Sequence, residues 1–188
     1  MRQKVDRGIT VGEQFRFRKD DAVDVRQFRR CPELFHDLSR HVLMFYTGRT
    51  RKAQSILSVQ NERTQGNLEQ LHCLKALAMR TADAVERLRL WEIGRLLNEG
   101  WQLKRQLAEG ISSPEIEEMY DLGLSAGASG GKICGAGGGG FLLLYCDPAH
   151  HKAVRQALAA YRELPIALDP DGSKVIFQHR VGYRLASI

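Results

Sequence analysis

Residues 127–141 read GASGGKICGAGGGGF, with glycine at eight of the fifteen positions and Lys132 among them, directly ahead of the apolar run LLLYC at 142–146. Glycine at that density is entropically costly and is tolerated where the backbone must take positive φ or let another group come very close. A flexible linker would be Gly/Ser-rich and polar on both sides, whereas Ile133, Cys134, Ala136 and Phe141 interrupt this stretch. A hairpin turn needs two or three special positions, not eight. A loop whose backbone approaches a phosphate fits better, although neither G-x-G-x-x-G in its dinucleotide setting nor G-x-x-x-x-G-K-[ST] is satisfied.

Upstream of the glycines, ISSPEIEEMYDLGLSAG carries a helix start: Ser112 or Ser113 as N-cap, Pro114 in the first turn, and Glu115, Glu117 and Glu118 near the positive end. Between Arg49 and Pro114 there is no other proline, and apolar residues recur at helical spacing, which predicts three or four amphipathic helices. Earlier still, EQFRFRKDDAVDVRQF alternates through Phe15 and Phe17, turns at Lys19-Asp20-Asp21 and alternates again through Val23 and Val25, the pattern of a half-buried hairpin. RHVLMFYTG reads as a central strand ended by Gly48. Downstream, Asp147-Pro148 opens a helix to about Tyr161, and SKVIFQHRV reads as a last strand. The predicted class is α+β, a mostly antiparallel sheet with helices packed on one side. Residues 1–12 are expected to be a frayed interdomain remnant and 13–188 one domain.

The composition, 43% hydrophobic and 27% charged, is that of a globular chain with a real core. Lys+Arg 28 against Asp+Glu 22 gives a net charge of +6, which favours anionic partners. The basic residues are scattered among acidic ones and aromatic content is 7%, so no nucleic-acid platform emerges. Four dispersed cysteines without a C-x-x-C pair argue against zinc. His150 and His151 are adjacent and diverge on a helix, so both read as surface residues. The longest apolar run is too short to span a bilayer, and a cytoplasmic location with reduced thiols is expected.

Taken together, VLMFYTGRTRKAQSIL, LLNEGWQLKRQL and GGKICGAGGGGFLLLYC resemble the C-terminal half of a GHMP-type kinase, and within that superfamily the D-glycero-D-manno-heptose 7-phosphate kinases. The resemblance runs from about Phe15 to the C-terminus. It implies an ATP-dependent sugar-phosphate kinase with ATP and Mg²⁺ as cofactors. It also implies an N-terminal ATP-binding domain with a P-x-x-x-G-L-G-S-S-A loop, a stretch this sequence does not contain. Weak ATP binding by the chain alone, no turnover alone, and a separate ATP-binding half or self-association are therefore expected. A non-catalytic module that binds a phosphorylated sugar or a partner protein is the alternative.

The resemblance assigns residues as follows. Thr50 and Arg51, after a strand and at a helix start, suit the phosphate of a sugar phosphate; a surface cap and a solvated arginine are the competing reading. Trp101 and Lys104 share a helix face. Trp101 would cover a sugar and Lys104 reach its phosphate, against a core tryptophan with Lys104 passing over it. Lys132 would donate to phosphate from within the loop. Gly130, Gly131, Gly135, Gly137, Gly138 and Gly139 would form the phosphate-loop or interdomain face. Asp6 is the one candidate for a catalytic aspartate, and a solvated residue in a terminus is its competing reading. Arg49 stands at the family's variable position and receives no role.

Overall fold

A computed structural model describes residues 13–28, 32–50 and 53–167. The chain divides into two compact units, residues 1–30 with 169–188, and residues 31–168. Asp6, Arg51 and the expected strand SKVIFQHRV lie outside the described residues.

In the first unit, β1 (Glu13–Phe17) and β2 (Val23–Gln27) form the expected antiparallel hairpin. The Arg18 N–H donates to the Ala22 carbonyl across the turn, and Asp21 takes a positive φ of 60°. Aspartate tolerates that region better than most residues. Phe15 pairs with Val25 and Phe17 with Val23, so the alternation puts all four on one face. That face is exposed, not half-buried.

The second unit begins with α1 (Pro32–Arg40) and β3 (Val42–Tyr46), followed by α2 (Ala53–Glu62), α3 (Leu68–Glu86), α4 (Ile93–Lys104) and α5 (Pro114–Ser125). The glycine stretch then enters β4 (Ala128–Ile133), and β5 (Phe141–Cys146) leads to α6 (His151–Ala157). The sheet order is β3-β5-β4, antiparallel throughout. On its other edge β3 meets residues 162–164: the Tyr46 N–H donates to Arg162 O, the Leu164 N–H donates to Met44 O, and Phe45 bridges Glu163. β3 thus has neighbours on both edges, as its unbroken apolar run predicts.

Side chains alternate along β5 and serve two clusters. Leu142, Leu144 and Cys146 pack with Phe45, Ile116 and Trp101, while Tyr145 packs with Leu77, Ile93 and Leu96 of α3 and α4. The α+β class holds, with one refinement: helical side chains reach the sheet from both faces. The expected cap of α5 is present, with Ser113 extended and its Oγ accepting from the Ile116 N–H at 3.4 Å. Among the described residues no helix is long and apolar enough to cross a membrane.

The first half of the glycine stretch is strand. Gly130 lies where α4 crosses β4, and a Cβ there would stand 1.9 Å from the Gly94 carbonyl oxygen. Gly94 answers it from the helix, where a Cβ would stand 1.9 Å from Ser129 Oγ. Two facing glycines let backbone meet backbone, the close approach for which glycine in a strand is often retained.

Candidate functional site

The loop proper is Cys134–Gly140, between β4 and β5. Gly135, Gly137, Gly138, Gly139 and Gly140 all have positive φ, a region costly for residues with a Cβ. Backbone carbonyls from two distant segments hold this loop. The Gly138 N–H donates to Ile111 O at 2.7 Å, and the Gly140 N–H donates to Arg49 O at 2.8 Å. In return Gly140 O accepts from the Thr47 N–H at 3.0 Å and from Thr47 Oγ1 at 3.1 Å. Thr47 is the one buried polar residue among those described, and these bonds satisfy it.

At the other end of the loop, Lys104 Nζ donates to the Gly135 carbonyl. Burial pushes the Lys104 ammonium below the usual lysine range, and the nearby Lys132 charge pushes it further. Cys134 feels both charges: burial raises its thiol, while Lys132 and Lys104 oppose that shift. Among the described residues no carboxylate pairs with either lysine. Two like charges are thus held at one loop mouth without a counter-charge among the described residues.

Arg49 reaches the start of α5. Its Nη1 lies 2.6 Å from Glu115 Oε2 and donates to Ser113 Oγ at 3.5 Å. The Ser113 hydroxyl, the backbone N–H of Glu115 and the Arg49 charge hold the Glu115 carboxyl below the usual carboxylate range. Next to it, Glu117 joins Ser112 to Arg105 at the end of α4.

Of the expected site residues, Lys104, Lys132 and the loop glycines gather at one place, and Thr50, exposed, directly follows Arg49, whose carbonyl holds Gly140. Trp101 requires a correction. It is 1% exposed, its ring lies 6.2 Å from that of Tyr120, and it belongs to the core. A ring with no free face cannot cover a sugar, so the packing reading stands. Tyr120, whose hydroxyl donates to Asn98 Oδ1 at 2.9 Å, is pushed up to about 12 by burial. Gly130 and Gly131 lie in β4 and not in the loop.

Arg49, Ile111 and Gly94 were not singled out by their local sequence. Gly94 alone carried a signal, since an isolated glycine in a helical pattern costs about 1 kcal/mol relative to alanine and usually has a packing reason. That the Arg49 and Ile111 carbonyls accept from the loop leaves no trace in residue type.

Two amides of the loop are not free to cradle a phosphate. The Gly138 and Gly140 amides are already committed to protein carbonyls, and among the described residues no group of three His, Cys, Asp or Glu side chains could hold a metal ion.

The family model described as GHMP kinases C terminal matches residues 81–163. The D-glycero-alpha-D-manno-heptose 7-phosphate kinase of Campylobacter jejuni is 29% identical over 124 residues, 65% of this chain and 37% of that protein. The L-fucokinase/L-fucose-1-P guanylyltransferase of Bacteroides fragilis is 34% identical over 121 residues, 62% of this chain and 13% of that protein. The crystal structure of a D-glycero-D-manno-heptose 1-phosphate kinase from Bacteroides thetaiotaomicron shares the fold with a TM-score of 0.60 at 22% identity, covering 88% of this chain and 45% of that one. The chain therefore spans less than half the length of each of these proteins. Motif and match agree, and the shared fold is consistent with them: residues 81–163 of this chain match the GHMP kinase C-terminal family.

Proposed function

We propose that this chain forms the acceptor side of an ATP-dependent sugar kinase whose substrate already carries a phosphate, in the manner of a heptose 7-phosphate. The observation that carries the reading is the Lys104–Lys132 pair, two ammonium groups beside the glycine loop with no carboxylate partner among the described residues. A phosphate dianion supplies the missing counter-charge, and a neutral sugar does not. Thr50 contributes a hydroxyl at the other end of the loop, and Arg51, next in sequence, is proposed as a third group on the same phosphate.

Phosphoryl transfer asks the protein chiefly to hold donor and acceptor in line. In this reading the chain's own residues do the acceptor's share: the lysines fix the phosphate end of the sugar, and the loop, held at Gly138 and Gly140, fixes the floor beneath it. ATP and Mg²⁺ are the proposed cofactors, held by residues other than those described. Asp6, the candidate catalytic aspartate that the family resemblance offers, is the proposed proton acceptor.

Calorimetry on the chain with heptose 7-phosphate and with the unphosphorylated heptose tests the reading. Binding of the phosphorylated sugar, none of the plain one, and no ADP release with MgATP by the chain alone are expected. Equal binding of both sugars, or of neither, would sink it.

A further inference from the structure

The glycine loop rests on two carbonyls, Arg49 O and Ile111 O, and these belong to segments far apart in the sequence. Ile111 lies two residues before Ser113, the N-cap of α5. Arg49 spans the gap: its backbone holds Gly140, and its side chain reaches Ser113, 64 residues away, and Glu115. The same residue therefore carries one of the loop's acceptors and is tied to the segment that carries the other. Packing at the loop is tight on both sides, since a Cβ at Gly137 would stand 2.8 Å from Ile111 O and one at Gly139 would stand 2.6 Å from Arg49 O.

We propose that Arg49 is a positioning residue, which sets the glycine loop by locking the Thr47–Thr50 turn to the start of α5 through Glu115 and Ser113. The turn itself is closed locally: Thr47 Oγ1 accepts from the Arg49 N–H at 3.4 Å, and Gly48 takes a φ of 74°. Without its side chain, Arg49 would still offer its carbonyl, but from a turn no longer tied to the Ile111 segment. The side chains of Arg49 and Glu115 are 41% and 60% exposed, so the pair adds little to global stability. Its consequence is local, a narrower range of loop positions. The effect on ligand rests on the reading of this loop as the floor of a sugar-phosphate site; the effect on the loop does not.

The experiment compares the full chain with Arg49→Ala and with the charge swap Arg49→Glu/Glu115→Arg. Amide exchange at Gly138 and Gly140 is read by NMR, heptose 7-phosphate affinity by calorimetry, and the urea midpoint by circular dichroism. Arg49→Ala should speed exchange at both glycines by about twofold to fivefold, the range that follows from an exposed ion pair. It should weaken the sugar phosphate by a similar factor and leave Leu144 exchange and the urea midpoint unchanged. The swap should restore exchange and affinity. Unchanged glycine exchange in Arg49→Ala, faster exchange throughout the sheet, or a swap that restores nothing would each overturn the proposal. A wild-type chain that binds no sugar phosphate would count against the proposed function alone, because the exchange comparison needs no ligand.

Discussion

Gly130→Ala is expected to destabilise the chain by about 3 kcal/mol or more, the upper end of the range for overpacking a close-packed interior. The added Cβ would meet the Gly94 carbonyl oxygen at 1.9 Å, its carbon at 2.7 Å and Asn98 Cβ at 3.0 Å. Two of the three obstacles are backbone, so no rotamer change relieves them, and α4 must move off β4. That motion would disturb Trp101 and Leu96, buried residues of the same helix. Gly135→Ala is the matched control. Nothing lies within 4 Å of a Cβ there, but φ is +85°, so only backbone strain of about 1–2 kcal/mol applies. Urea denaturation of both variants separates close approach from conformational freedom as the reason for the glycines. Equal losses in the two would mean that α4 yields easily and that contact with Gly94 is not what holds glycine at position 130.

That comparison also marks where the sequence was legible and where it was not. The hairpin, the β3 and β5 runs and the Ser113-Pro114 start of α5 are written in local alternation, apolar runs and capping chemistry, and each appears where its signal stands. The glycine stretch was legible as a place of unusual backbone but not in its division into strand and loop. Glycine disfavours strands, and what calls for it here lies elsewhere in the fold: at Gly130 the Gly94 carbonyl of α4, at Gly131 the Leu143 carbonyl of β5. The α1 helix, nine residues long, went unread, and α6 ends at Ala157, short of the expected Tyr161. Lys104 and Lys132 were legible as candidates because their motif positions stood out. Their convergence on one loop mouth was not, since it depends on how α4 crosses β4. Trp101 shows the opposite case: helical spacing placed it beside Lys104, and only packing could say that it faces the core.

Convergence of the two lysines has a measurable consequence in pH. Lys132→Ala is expected to weaken heptose 7-phosphate binding by about 1.5–3 kcal/mol, the usual worth of a charge-assisted hydrogen bond, or roughly tenfold to a hundredfold. In the wild type, affinity should rise as the phosphate becomes a dianion near its second pKa of about 6. It should fall again on the alkaline side. Lys104 is held below the usual lysine value, first by burial and then by Lys132, so it sheds its proton, and the anion's partner, before a free lysine near 10.4 would. The stability of the unliganded chain should move the other way through this contribution. Between the lowered folded pKa and the unfolded one, the unfolded chain binds more protons, so stability rises with pH across that window and is fully gained above the unfolded value. Opposite slopes for binding and stability cannot come from general alkaline unfolding. Lys104→Met should remove the alkaline fall in affinity that Lys104 causes, and Lys132→Ala should move it to higher pH by removing the neighbouring charge. Calorimetric titrations from pH 6 to pH 10 decide the matter, with proton uptake read from the dependence of the binding heat on buffer. An alkaline fall that persists unchanged in Lys104→Met would show that the phosphate is read by other groups and that Lys104 serves only to hold the Gly135 carbonyl.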